Sequence, residues 1–282
     1  MLGGESGLPL TVRAVDRALD ILLCFNSEET ALSMTQIAER VGIHKSTVHR
    51  LLATLEARRF LQRDPANGVY RLGFQIVELA SLVLMHMDLP HFAGPYMQRL
   101  AVECEETVDL AILDDDHVIY LQVIESPQRL KIAAAVGQRL PAFCTATGKA
   151  FLAFLPLDQV ERILAGGQPR HTQTTLTNPA DLQRDLAATR ERGFAISEQE
   201  FESDINAVAA PIRDPNGYPI GAVAIVGPSF RMPHERMLAL GHQLLDATQA
   251  ISHEVGLAAL TRLTPAGSAA ASGPPSERKG NP

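Results

Sequence analysis

Two short helical patterns separated by a tight, glycine-bearing turn constrain this chain more than anything else in it. Ser33 is followed three residues later by Gln36, the spacing of a reciprocal helix cap. Met34, Ile37, Ala38 and Val41 then share one helical face, and Gly42 supplies the stop. A second pattern begins near His44 and runs to about Ala57, with Val48, Leu51, Leu52 and Leu55 on its apolar face. Upstream, apolar residues at 12, 15, 19 and 22 form another helical stripe. Downstream, Phe60–Arg63 and Val69–Leu72 flank Asp64-Pro65-Ala66-Asn67-Gly68, and Asn-Gly between extended runs signals a hairpin. Residues 11–73 therefore read as helix, helix, tight turn, helix, hairpin.

Such a unit reads DNA when its last helix packs by one face and offers donors on the other. The 44–57 pattern meets both conditions. Lys45, Ser46 and Thr47 occupy its first turn, His49 and Arg50 point outward, and Ala53 is small enough for close approach. Arg63 and Arg71 stand at the base of the hairpin, placed for phosphate or minor-groove contact. The whole chain argues the other way, with a net charge of −7 over 282 residues. Resolved by segment, the charge changes sign. Residues 1–73 carry nine Lys/Arg against eight Asp/Glu, leaving the remainder strongly acidic. Within 40–63, Arg40, Lys45, Arg50, Arg58, Arg59 and Arg63 face Glu56 alone. That is an electrostatic footprint for phosphate, although a solvated helix face gives the same count.

The rest of the chain has a different texture. Residues 74–89 are strongly apolar and read as a linker helix that a lone monomer would leave exposed, which implies a partner copy. Another amphipathic helix follows over 90–104. Strand patterns lie at Val108–Leu113, Val118–Ile124, Leu130–Val136, Phe194–Ser197, Val208–Arg213 and Ile220–Val226. The run VIYLQVI is apolar on both faces, so that strand is expected to be covered on both sides. Helical patterns occupy Thr145–Leu155, Leu157–Ala165, a stretch opened by Asn178-Pro179 and closed near Gly193, and a long segment from Pro233 to about Leu263. Residues 1–10 read as a loose arm and 264–282 as a disordered tail.

Several function classes fall away. No apolar run reaches the ~18–20 residues of a membrane span, and the N-terminus lacks a secretory pattern, so a cytoplasmic protein is expected. Cys24, Cys104 and Cys144 are too few and scattered for a disulfide framework or a thiolate metal site. Cys144 has no motif of a nucleophile around it. Asp114-Asp115-Asp116 lacks calcium-loop spacing, and His44 and His49 miss the spacing for shared ligation on a helix. No metal, cofactor or catalytic residue is expected.

The chain resembles the IclR-type transcriptional regulators. The resemblance rests on Val12 to Leu22, on Gln36 to Gly42, on Lys45 to Leu52, and on Tyr70-Arg71-Leu72-Gly73. It continues through Leu140-Pro141-Ala142, Cys144-Thr145-Ala146, Gly148-Lys149-Ala150, Arg192-Gly193-Phe194, Glu198 to Pro211, and Gly227-Pro228. It covers roughly residues 11–260. It implies an α+β chain: a winged helix-turn-helix over 11–73, a linker helix over 74–89, and a GAF-like effector domain over 90–263 with an antiparallel sheet flanked by helices. It implies a dimer or tetramer on operator DNA, answering a small-molecule effector. Carried over by position, the effector site comprises Thr145, Ala146, Thr147 and Gly148, whose backbone N–H groups meet a ligand anion, with Ser197, Ala207, Ala224 and Val226. Ser197 stands where an acid is common in the family, Ala207 where cysteine is common, and Ala224 and Val226 where small hydroxyl residues occur. Those departures favour an organic acid with an apolar or aromatic body over a very polar one. The same residues also fit an ordinary core with the ligand elsewhere. A small-molecule sensor or enzyme that uses the N-terminal helices only to dimerise stays open as the alternative.

Overall fold

The computed structural model describes residues 11–26, 29–85 and 88–263. The expected arm at 1–10 and tail at 264–282 lie outside these residues. The chain divides into two compact units, the first ending at Asp88 and the second beginning at Leu89.

The first unit contains α1 (Arg13–Leu23), α2 (Met34–Val41), α3 (Lys45–Ala57), β1 (Leu61–Arg63), β2 (Tyr70–Leu72) and α4 (Phe74–Met85). The Ser33 hydroxyl accepts the Gln36 amide while the Gln36 side chain accepts the Ser33 amide, so the reciprocal cap is present. Gly42 stops α2 in the left-handed region at φ 63°. Its missing Cβ makes that conformation inexpensive. Ile21, Leu32, Ile37, Val48, Leu52, Leu55, Leu61 and Tyr70 form one core. The hairpin pairs Leu61 with Leu72 and Arg63 with Tyr70, and Leu32 bridges to Tyr70 as a further edge. On α1 and α4 a different set stays exposed: Val15, Leu19, Leu23, Phe74, Val77, Leu82 and Val83.

The second unit begins with α5 (Leu89–Cys104), β3 (Thr107–Asp114) and β4 (His117–Ile124). It continues through β5 (Arg139–Pro141), a 3-10 turn (Ala142–Cys144), α6 (Ala146–Leu152), α7 (Leu157–Leu164) and α8 (Pro179–Arg192). It ends with β6 (Ala195–Glu198), β7 (Ile205–Arg213), β8 (Pro219–Pro228) and α9 (His234–Leu263). The strands form one antiparallel sheet in the order β5-β4-β3-β8-β7-β6. Strand alternation sorts its side chains into two layers. Val108, Leu110, Ile196, Val208, Val223 and Ile225 pack on α5 and α9. Ala111, Ala195, Ala209, Ala222 and Ala224 face α6, which meets them with Ala146, Ala150 and Phe151.

Two expectations need correction. Leu130–Val136 is not a strand. The edge of β4 is taken instead by Gly137 and Gln138, which bond to Tyr120, and by β5. The expected coverage of VIYLQVI on both faces is also only partial. Val118 and Tyr120 are buried, but the other residues of β4 are half-buried, because β4 lies one strand from the edge and β5 beside it is short.

Gly148 has a structural duty here. A Cβ at this position would run into the carbonyl of Ala142. Gly148→Ala should therefore force α6 away from the 3-10 turn and cost about 1–3 kcal/mol, measured as a lower midpoint in thermal or urea unfolding. An unchanged midpoint would show that the turn yields freely.

Candidate DNA interface and effector cavity

On the first unit, α3 presents one polar face. Lys45, Ser46, His49 and Arg50 are exposed and Thr47 is half-buried, while Val48, Leu52 and Leu55 are buried beneath them. His44 caps the helix: its Nδ1 accepts the Ser46 amide at 3.3 Å and lies 2.8 Å from the Ser46 hydroxyl. Ser46 is thus partly engaged within its own helix, whereas no hydrogen bond or ion pair to a described residue is recorded for the Lys45, His49 or Arg50 side chains. Arg63 and Arg71 are exposed on the hairpin, and the Arg63 guanidinium lies 5.8 Å from the Tyr70 ring centre, which favours one orientation of it beside the wing. The residues singled out for DNA contact therefore lie on α3 and on the two strands of the wing.

On the second unit, a cavity of about 620 Å³ including its mouth lies beside the sheet. Thr145, Ala146, Thr147, Ser197, Ala207 and Val226 all line it. Gly148 and Ala224 do not: Gly148 faces Ala142, and Ala224 is covered within the alanine layer. The Thr145 hydroxyl accepts the Gly148 amide at 3.2 Å, so that N–H is unavailable to a ligand. The expected cradle thus narrows to the amides of Ala146 and Thr147, for which no acceptor among the described residues is recorded. Ser197 donates to the Cys144 carbonyl at 3.3 Å and steadies the wall beside them.

A buried ionic network holds the same wall. Lys149, 1% exposed, pairs with Glu200 at 2.5 Å and Asp185 at 2.8 Å. These bonds tie α6 to α8 and to the loop after β6. That loop carries Phe201 and Glu202, which also line the cavity. Burial raises the Glu200 carboxyl and Lys149 pulls it back, with burial the larger effect. Burial pushes the Cys144 thiol up to about 12, which leaves it inert as a nucleophile near neutral pH.

Asp109, on β3, is the lining residue that sequence reasoning missed. It is fully buried, and neither carboxyl oxygen has a hydrogen-bond partner among the described residues. Burial alone pushes its carboxyl up to about 8. Tyr120 on β4 responds to it, raised well above the ordinary phenol range first by burial and then by Asp109. The signal was present: a lone acid at an inward position of an apolar strand is costly without a reason. Ile132, Ala133 and Ala134 also line the cavity, hidden inside the run that resembled a strand. Among the described residues, no group of three or more His, Cys, Asp or Glu is placed to hold a metal ion. Among the same residues, no helix is long and apolar enough to cross a membrane.

A winged helix-turn-helix joined to a sheet domain with a lined cavity defines a class, the DNA-binding regulators that carry a ligand-binding domain. Comparison with known proteins makes the class specific. Residues 81–253 match the bacterial transcriptional regulator IclR C-terminal domain, and residues 14–65 match the IclR helix-turn-helix domain. The chain is 32% identical over 246 residues to the regulator XynR of Escherichia coli K12, covering 87% of this chain and 98% of that protein. It is 29% identical over 248 residues to the transcriptional repressor IclR of the same organism, covering 87% and 90%. Among solved structures, an IclR homologue of Microbacterium hydrocarbonoxydans complexed with 4-hydroxybenzoate superposes with a TM-score of 0.77 at 28% identity, covering 86% of this chain and 98% of that one. The Thermotoga maritima IclR gives 0.72 at 28%, covering 86% and 99%. The chain belongs to the IclR family of bacterial transcriptional regulators. Its relatives are regulators, and so is this chain, which sets aside the enzyme alternative.

The Asp109 carboxyl generates a pH prediction. In the unfolded chain it ionises near its ordinary value of 3.8, but in the folded protein only near 8. Stability conferred through this group is full below about pH 4 and is lost as the pH rises towards 8, because the unfolded chain releases the proton first. Asp109→Asn removes that loss. The difference in midpoint between variant and wild type should therefore grow in the variant's favour from pH 5 to pH 8, measured by urea unfolding. A difference that is flat with pH would mean that the folded protein stabilises the charge.

Proposed function

We propose that this chain is an effector-responsive regulator of a bacterial catabolic operon, acting in the cytoplasm as a repressor or activator. In this reading α3 enters the major groove of operator DNA. Lys45, Ser46, Thr47, His49 and Arg50 meet bases and phosphates, and Arg63 and Arg71 follow the backbone from the wing. The observation that carries the DNA reading is the exposed basic face of α3 above a fully apolar inner face. One such unit contacts few bases, so a pseudo-palindromic site read by a homodimer, or by dimers paired as a tetramer, follows. The exposed apolar residues of α1 and α4 supply a surface for the second copy.

The effector is a small organic acid with an apolar or aromatic body. Its support is the lining: Ile132, Ala133, Ala134, Leu140, Phe201 and Val226 give apolar walls, and the amides of Ala146 and Thr147 are available to a carboxylate. Among the described residues, no Lys, Arg or His lines the cavity, and Glu202 and Asp109 do. A single carboxylate met by amides suits that lining better than a polyacid, and an uncharged Asp109 removes one repulsion. The neighbour complexed with 4-hydroxybenzoate is consistent with such a ligand. Effector binding would shift the placement of two recognition helices by its different affinity for the two states.

Two variants test the assignments separately. Arg50→Ala should weaken specific operator binding by about 1–3 kcal/mol in a gel-shift titration, while oligomer size and thermal midpoint stay unchanged. Equal affinity for wild type and variant would sink the recognition role of α3. Ala146→Phe should abolish the effector response and spare DNA binding, and a surviving response would place the ligand elsewhere.

A further inference from the structure

We propose that Asp109 determines the specificity of the cavity by pairing with a hydrogen-bond-donating group, a hydroxyl or an amine, on the effector. The inference rests on the reading that this cavity is the effector site, and names a feature that its ligand must carry.

Buried polar groups nearly always find a partner within the folded protein or in ordered water. Asp109 departs from that rule twice over, with both carboxyl oxygens buried and both unpaired. Its surroundings explain why the protein supplies no partner. Across the sheet Asp109 pairs with Ala224, Ala224 with Ala209, and Ala209 with Ala195. Three alanines in that row offer no donor. From the other elements around the cavity come Tyr120 on β4, Gln138 before β5, Cys144 and Thr145 before α6, Thr147 on α6, Ser197 on β6, and Glu202 on the loop after it. None of them is hydrogen-bonded to the carboxyl, and none is a cation. Ser197 already donates to Cys144.

A donor on a ligand in the cavity would complete the pair. An uncharged carboxyl both donates and accepts, which matches a hydroxyl. An ionised one matches an ammonium group. In either state a donor on the ligand gives one of its oxygens a partner. A ligand presenting only a hydrogen or a methyl here leaves the carboxyl as orphaned as before. A carboxylate has no proton to donate, so the donor group is a different part of the ligand from its acid head.

The test is calorimetric titration of the full-length protein with three probes: benzoate, 4-hydroxybenzoate and 4-(aminomethyl)benzoate. Wild type should bind at least one donor-bearing probe about 10-fold or more tighter than benzoate. In Asp109→Ala that ratio should fall close to one. Asp109→Asn is nearly isosteric and covers the case of an alanine variant that does not fold. It keeps one donor and one acceptor, so it should lose a preference for the amine. Equal binding of all three probes by wild type, or a preference that survives in the alanine variant, overturns the proposal. So does an amine preference that survives in the asparagine variant. Ala146→Phe separates the two levels: it should block all three probes, and binding that persists there overturns the cavity reading itself. Failure of all three probes on wild type overturns the aromatic-acid reading and this inference with it.

Discussion

The layer of alanines on one face of the sheet sets the geometry of the whole second unit. Ala111, Ala195, Ala209, Ala222 and Ala224 project only a methyl towards α6. The helix therefore approaches closely, and Gly148 lets it pass the Ala142 carbonyl. On the opposite face Val108, Leu110, Val208, Val223 and Ile225 fill the space under α5 and α9 with bulk. That layer is packed as interiors usually are. The cavity lies where the small-residue layer reaches the end of α6 and Ile132–Ala134 close over it. The same strands that make a tight core on one side leave room for a ligand on the other.

The walls of that room are held by polar bonds. Lys149 gathers Glu200 and Asp185 from two other elements, and removal of Lys149 would leave the buried Glu200 carboxylate without its cation. The loop so anchored places Phe201 and Glu202 at the cavity. Asp109 is the counterpart to this ion-paired network. It is a carboxyl kept without partners, at a cost in stability. A purely structural core would gain from replacing it, and a site built for a ligand gains from keeping it.

Much of this was legible in the sequence where local chemistry decides structure. Ser33 and Gln36 cap α2, Asn178 and Pro179 open α8, and Gly42 and Gly193 end their helices in the left-handed region. None of these depends on distant contacts. The span 130–136 reads as a strand and is not one for the opposite reason. Its apolar residues look like a strand, but whether they pair depends on which segment reaches the edge of β4 first. Gly148 was noticed for its place in a loop, whereas its importance comes from a carbonyl six residues earlier that only packing brings near. Asp109 was passed over because a single acid within an apolar run carries no motif. Its meaning lies in what fails to surround it.

Charge shows the same dependence on scale. The net −7 of the whole chain disfavours nucleic acid, yet Lys45, His49 and Arg50 stand exposed on one helix face with the wing arginines nearby. Salt screens charges over about 8–10 Å, so the charges within that reach of a phosphate count for more than the net charge of the chain. A weakly basic reading head on an acidic body therefore favours contact where base-edge contacts add to the phosphate attraction. The exposed apolar residues of α1 and α4 bear on the same problem. Covering them with a second copy brings a second reading head, and with it the base contacts that one α3 cannot make.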